Sequence, residues 1–170
     1  MKNNIKSLFD RLYNDESDAI FRFCLIRVSN RDQALDITQE TFLRVWSTLC
    51  KGKNILNNKA FLFTVAHRLI IDWYRKKKSI SLEGMTKKDM EVDYYLLDES
   101  TQDILGTGLE GKYLLSKINE LNPVYRDPVY LYFVEDLSAA QIGEVLGLSS
   151  NVISVRVNRG IKELRRVSGY

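Results

Sequence analysis

The stretch LSAAQIGEVLGLSSNVISVRVNRGIKELRR, Leu137 to Arg166, constrains the fold more than any other part of the chain. Ser138 followed by Gln141 is a capping box: the serine side chain accepts from a first-turn backbone N–H, and the glutamine reaches back to the serine N–H. A helix is therefore predicted to start at Ala139, with Ile142, Val145 and Leu146 as its inner face. Gly147 stands where a helix ends in a left-handed residue, and Ser149 supplies a second N-cap. Val152, Val155, Ile161 and Leu164 are expected to form the buried stripe of the second helix. A short helix, a glycine turn and a second capped helix make a helix-turn-helix.

In that motif the N-terminal half of the second helix enters the major groove. The outward positions here are Ser150, Asn151, Ser154, Asn158 and Arg159, all able to hydrogen-bond to base edges or phosphates. Arg156, Lys162, Arg165 and Arg166 add charge suited to phosphate. An ordinary αα-hairpin with a solvated face is the competing reading. Agreement among the caps, the turn and the polar outer face favours DNA.

Upstream, the pattern is helical again. Apolar or small residues at Leu35, Thr38, Phe42, Val45 and Leu49 give Asp32–Leu49 one core face, and Asn30 or Asp32 is placed to cap it. Leu8, Phe9 and Leu12 suggest one earlier helix and Ile20, Phe23 and Cys24 another, with NDES between them supplying caps. KGKNILNN reads as a loop. From Lys59 to Lys78, which lacks Gly and Pro, Leu62, Val65, Ala66, Leu69 and Trp73 lie on one side of a long helix. Residues 79 to about 110 lack sustained periodicity, and the stretch ends in Gly106, Gly108 and Gly111, as a linker does. Leu114, Leu115, Ile118 and Leu121 mark a helix from Lys112, which Asn122-Pro123 ends while starting the next. Pro128 is expected to shorten or kink that helix, because it lacks an N–H.

Charge follows the same division. Residues 1–78 hold 15 Lys/Arg and 8 Asp/Glu (+7), residues 79–110 hold 2 and 8 (−6), and residues 111–170 hold 8 and 6 (+2). Two basic blocks can face phosphates and the acidic block cannot. No apolar run approaches the roughly 20 residues of a membrane span, and the polar N-terminus does not read as a signal peptide; the expected location is the cytoplasm. Cys24, Cys50 and His67 are too few and too scattered for a structural zinc site, and no metal or cofactor is expected. With no Ser-His-Asp set or phosphate loop and a single histidine, an enzyme is not expected.

VAHRLIIDWYRKKK, Val65 to Lys78, joins aliphatics, two aromatics and four cations. One reading makes the aromatics core and the cations a helix end favoured by its dipole. The other has Tyr74 stacking on an exposed base while Arg75, Lys76, Lys77 and Lys78 hold the backbone, as single strands are gripped. Trp73 continues the core side. A groove-reading module beside a strand-gripping one suggests a protein that opens DNA.

Three segments then carry a family resemblance over nearly the whole chain. DITQETFLRVW resembles the polymerase-binding helix of extracytoplasmic-function sigma factors of the sigma-70 family, with Asp36, Gln39, Glu40 and Phe42 at its recurring positions. AFLFTVAHRLIIDWYRKKK resembles their promoter-melting helix, and LNPVYRDPVY through Arg166 their C-terminal helix-turn-helix. Three motifs in this order are specific. The resemblance implies an all-α chain of two small helical domains: 1–78 binding core RNA polymerase and the −10 element, 79–110 an acidic linker running near the RNA exit path, and 111–170 binding the −35 element. It implies that Asp36, Gln39, Glu40, Leu43 and Arg44 face the polymerase. It places His67, Arg68, Tyr74, Arg75, Lys76, Lys77 and Lys78 at the −10 strand, and Ser150, Asn151, Ser154, Arg156, Asn158, Arg159 and Lys162 at the −35 duplex. Core polymerase and promoter DNA are the implied partners, with an anti-sigma protein a family expectation.

This chain departs from the family at several points. Arg68 stands where a base-holding Asn is common; it is placed either to contact phosphate or a base, or to pair with Asp72 at i,i+4. Val152, Ser154 and Val155 stand where the family often has Thr, Lys and Ser, and the cation lost at Ser154 should change −35 preference. A stand-alone helix-turn-helix regulator and a sigma-like interaction module are the competing functions.

Overall fold

Every element among the described residues, 2–80 and 108–169 of the computed structural model, is helical. In chain order they are α1 (Lys2–Val28), α2 (Arg31–Cys50), α3 (Asn58–Ile80), α4 (Leu109–Glu120), α5 (Pro123–Phe133), α6 (Ala139–Leu146) and α7 (Ser150–Ser168). They fall into two compact units, one holding α1–α3 and the other α4–α7. Most of the acidic stretch read as a linker, residues 81–107, lies outside the described residues.

In the first unit α1, α2 and α3 pack mutually. Phe23 and Phe63 meet edge to face at 5.1 Å, and Ile20, Cys24, Ala34, Ile37, Val45, Leu62, Ala66 and Ile70 surround them in the core. Asn30 caps α2 by accepting from the Gln33 N–H at 2.9 Å. A second aromatic cluster joins Phe9 to Phe42 (6.1 Å) and Trp46 (5.1 Å), fastening the N-terminal half of α1 to α2. Arg27 is fully buried, its guanidinium 3.4 Å from the Phe23 ring centroid and donating to the Phe23 carbonyl at 3.0 Å. Cys24 is buried beside it, and desolvation pushes its thiol up to about 12, against smaller lowering effects of Thr38 and Arg27.

Two helices were expected where α1 is one. It runs unbroken through Asn14–Ser17, because those residues cost a helix only about 0.7 kcal/mol each at most while apolar contacts on both sides hold the run together. Leu35, expected in the α2 core face, is exposed; Ala34, Ile37, Thr38 and Thr41 face inward with Phe42, Val45 and Leu49.

In the second unit, Ile118, Leu121 and Val129 form a core with Tyr125, Val134 and Leu164 packed on it. The helix α4 begins at Leu109 rather than Lys112, with Gly108 as its N-cap and Gly111 inside its first turn. Leu114 is partly exposed, while Leu115, Ile118 and Leu121 turn inward. Asn122 caps α5 by accepting from the Val124 N–H at 3.1 Å, with Pro123 at the first helical position. Pro128 does not end α5, which continues to Phe133; the proline is buried and the helix is short, 11 residues. Tyr130 donates to the buried Glu135 carboxylate at 2.7 Å.

The largest correction concerns α7. Ile153, Val157 and Gly160 are its buried residues, Ile161 and Leu164 are half-buried, and Val152 and Val155 point outward. Gly160 decides this rotation. An added Cβ there would meet Val129 Cγ2 at 2.4 Å, so the backbone of α7 itself lies against α5 and becomes the centre of the inner face. A reading that follows large aliphatics alone turns the helix the wrong way.

Candidate nucleic-acid interface

The capping box forms as expected. Gln141 N–H donates to Ser138 Oγ at 3.2 Å, and Ser138 N–H donates to Gln141 Oε1 at 2.8 Å. Gly147 closes α6 in the left-handed region, φ 69°. The chain then folds back so tightly that Leu148 N–H donates to Gly143 O at 2.9 Å, and a Cβ on Gly143 would strike Leu148 O at 2.5 Å. Ser149 caps α7 by accepting from the Val152 N–H at 3.3 Å.

These constraints fix which face of α7 is free. Ser150, Asn151, Ser154, Asn158, Arg159 and Lys162 are exposed, and Arg156 is half-buried. Asn151, Arg156 and Arg159 border a depression of about 400 Å³ with Val152 and Val155 of α7 and Val124 and Tyr125 of α5. Glu163, the one carboxylate of α7, accepts from the Asn122 N–H at 2.8 Å and so ties α7 to the start of α5. The free face therefore carries cations and amides without a carboxylate of its own helix, a surface matched to phosphates and base edges.

The basic end of α3 is organised by residues that sequence periodicity did not connect to it. Trp73 Nε1–H donates to Gln33 Oε1 at 3.0 Å, and Tyr74 O–H donates to the Arg27 carbonyl. The two rings meet edge to face at 4.8 Å. Tyr74 is thus held by its hydroxyl, while its ring stays half-exposed. Arg68, Arg75 and Lys76 are exposed along one side at i, i+7 and i+8. Among the described residues Arg68 makes no ion pair with Asp72, which instead meets Arg75 at 3.7 Å. Lys77 lies toward the other side, 5.0 Å from the Trp73 ring centroid. His67 and Lys78 are half-buried and have contacts within the protein.

On α2, Asp36, Gln39, Leu43 and Arg44 are exposed and Glu40 is half-buried. Glu40 and Arg44 pair at 2.8 Å. Leu43 is 62% exposed, whereas its neighbour Phe42 is buried. The exposed leucine stands between a Gln and an ion pair on the side of α2 away from Phe42. Leu56, in the loop before α3, is 93% exposed, which nothing in the sequence marked.

Comparison with known proteins matches both helical units. The family model for Sigma-70 region 2 matches residues 12–80, and that for Sigma-70, region 4 matches residues 112–164. The ECF RNA polymerase sigma factor BldN of Streptomyces coelicolor is 29% identical over 94% of this chain, which spans 60% of that protein. The RNA polymerase sigma factor SigV of Bacillus subtilis is 28% identical, with 96% of this chain and 93% of that protein covered. Among solved structures, the sigma factor RpoE in complex with the anti-sigma factor NepR from Bartonella quintana superposes with a TM-score of 0.67 at 19% identity, covering 95% of this chain and 96% of that one. CnrH in complex with the cytosolic domain of CnrY gives 0.63 at 18%, covering 96% and 89%. With both sigma regions matched in order and sigma-factor relatives aligned over nearly all of this chain, the chain belongs to the extracytoplasmic-function sigma factors of the sigma-70 family.

Proposed function

We infer that the chain binds core RNA polymerase, directs it to specific promoters and assists in melting them. The observation carrying this reading is the presence on one chain, in order, of sigma region 2 and sigma region 4. Each presents a free surface of fitting chemistry. Residues 1–78 act as the polymerase and −10 module, 79–110 as the acidic linker and 111–170 as the −35 module. Leu43, with Asp36, Gln39, Glu40 and Arg44, meets the polymerase. Arg68, Arg75 and Lys76 track the unpaired −10 strand along one side of α3. Lys77, Lys78, His67 and the ring of Tyr74 flank that path. Arg68 serves as a strand contact, since Asp72 is engaged elsewhere. Ser150, Asn151, Ser154, Arg156, Asn158, Arg159 and Lys162 meet the −35 duplex.

The role is that of an initiation factor and not of an enzyme, and it places the protein with polymerase in the cytoplasm. No helix among the described residues is long and apolar enough to cross a membrane. Because the similar folds RpoE and CnrH were solved with NepR and CnrY, an inhibitory protein partner covering the polymerase or DNA surfaces belongs to the same proposal.

The test is reconstituted transcription. Purified chain is mixed with core polymerase and a genomic promoter library, and transcripts are mapped. Start sites that appear only with both components support the proposal. Specific duplex binding by the chain alone, without core binding, would make it a stand-alone regulator. Core binding without initiation would make it an interaction module.

A further inference from the structure

Val155 occupies an unusual place for a valine. Taking 100° per residue, it lies within about 15° of the direction opposite the buried residues Ile153, Val157 and Gly160. It is 46% exposed, and Val152, one turn before it, is 39% exposed. Its neighbours on the helix surface, at i±3 and i±4, are Asn151, Val152, Asn158 and Arg159, all exposed. A branched aliphatic group thus stands at the centre of the face expected to lie in the major groove.

We propose that Val155, with Val152 beside it, reads a thymine of the −35 element through the thymine C5-methyl group. This rests on the sigma-factor reading and extends it to a specificity-determining residue. In the major groove thymine alone of the four bases presents a methyl group, beside its O4 acceptor; guanine presents two acceptors, adenine an acceptor and a donor, and cytosine a donor. A valine satisfies none of those polar groups. Pressed against guanine, adenine or cytosine it would remove their water without replacing a hydrogen bond, whereas against a thymine methyl it buries apolar surface on both sides. Val155 therefore attracts one base and penalises three. Asn151, Asn158 and Arg159 flank it with donors for adjoining base edges or phosphates. The absence of a free carboxylate on this helix face, with Glu163 engaged by Asn122, favours DNA over an apolar protein as the occupant.

The test uses holoenzyme reconstituted from core polymerase and full-length chain. Promoters are selected from a library randomised across the −35 region, with wild type and with Val155→Ala. The position of Val155 predicts a thymine preference at one −35 position that falls about fourfold in the variant, the worth of roughly one buried methyl group, while other positions keep theirs. Deoxyuridine in place of that thymidine lowers wild-type promoter binding by a similar factor and leaves Val155→Ala binding unchanged. The proposal is overturned by a thymine preference that survives Val155→Ala at every position, or by insensitivity of wild type to deoxyuridine. It is equally overturned if Val155→Ala weakens core polymerase affinity and lowers use of all promoters by the same factor, since the valine would then serve a protein contact. If wild-type holoenzyme enriches no promoter, it is the sigma-factor reading itself that fails.

Discussion

Replacing Gly160 with alanine probes how α7 is held for DNA. Two effects oppose each other. Alanine is favoured over glycine within a helix by about 1 kcal/mol. Against this, the new Cβ would lie 2.4 Å from Val129 Cγ2 and 3.1 Å from Tyr125 Cβ. Val129 is fully buried and β-branched, so one side-chain rotamer dominates and it cannot swing away cheaply. Overpacking of this kind costs about 1–3 kcal/mol, and with a contact this short the upper half of that range applies. The net loss is about 1–2 kcal/mol, or a fall of about 5–15 °C in the midpoint of a unit this small. The chain contains its own control, because both tryptophans, Trp46 and Trp73, lie in the first unit. Far-UV circular dichroism follows both units and tryptophan emission only the first. Gly160→Ala should lower the part of the dichroism transition that emission does not see and leave the emission transition in place. An unchanged or raised midpoint would refute the idea that backbone contact between α5 and α7 sets the orientation of the recognition face.

Four further outcomes follow from surfaces and thiols. Leu43→Asp should leave stability within about 0.5 kcal/mol and weaken core polymerase binding by at least about tenfold, since a fully buried leucine is worth about 1.5–3 kcal/mol; titration of labelled chain with core polymerase reads both the affinity and any misfolding. Neutralising Lys76, Lys77 and Lys78 to Gln should flatten the log–log salt dependence of −10 strand binding by the holoenzyme by up to about 2, from the counterions three cations release on a single strand. A slope unaltered by all three would make the run a solvated helix end. Native chain should react with a maleimide once, at exposed Cys50, while Cys24 reacts only on unfolding. Cys24 titrates at about 12 in the folded chain against an ordinary value of 9.0. The sign follows: the native state keeps its proton longer than the unfolded chain does, so stability is intact below pH 9 and declines as pH rises from there toward 12.

What the sequence made legible was local. The capping box at Ser138, the turn at Gly147 and the Asn30 and Asn122 caps are each written within four or five neighbouring residues, and the length of α3 in one periodic run without Gly or Pro. What it hid depends on contacts between distant residues. Tyr74 is bonded to Arg27, 47 positions away, and Trp73 to Gln33, 40 positions away. No periodicity announces such pairs. The outward turn of Val152 and Val155 was missed for the same reason. The inner face of α7 is centred on a glycine, and only the approach of Val129 and Tyr125 reveals that a residue without a side chain is the buried one. The candidate residues on α7 were singled out by polar character and those on α2 by the family resemblance, neither of which uses long-range contacts. The separation of these residues from the core did need such contacts.

The most direct measurement is permanganate footprinting of a selected promoter with the chain alone, core polymerase alone and the two together. Permanganate attacks unpaired thymines. The account predicts a short reactive stretch around the −10 element only in the mixture, weakened when Lys76, Lys77 and Lys78 are neutralised. Thymines that stay unreactive in the mixture while the chain alone protects a duplex site would contradict it.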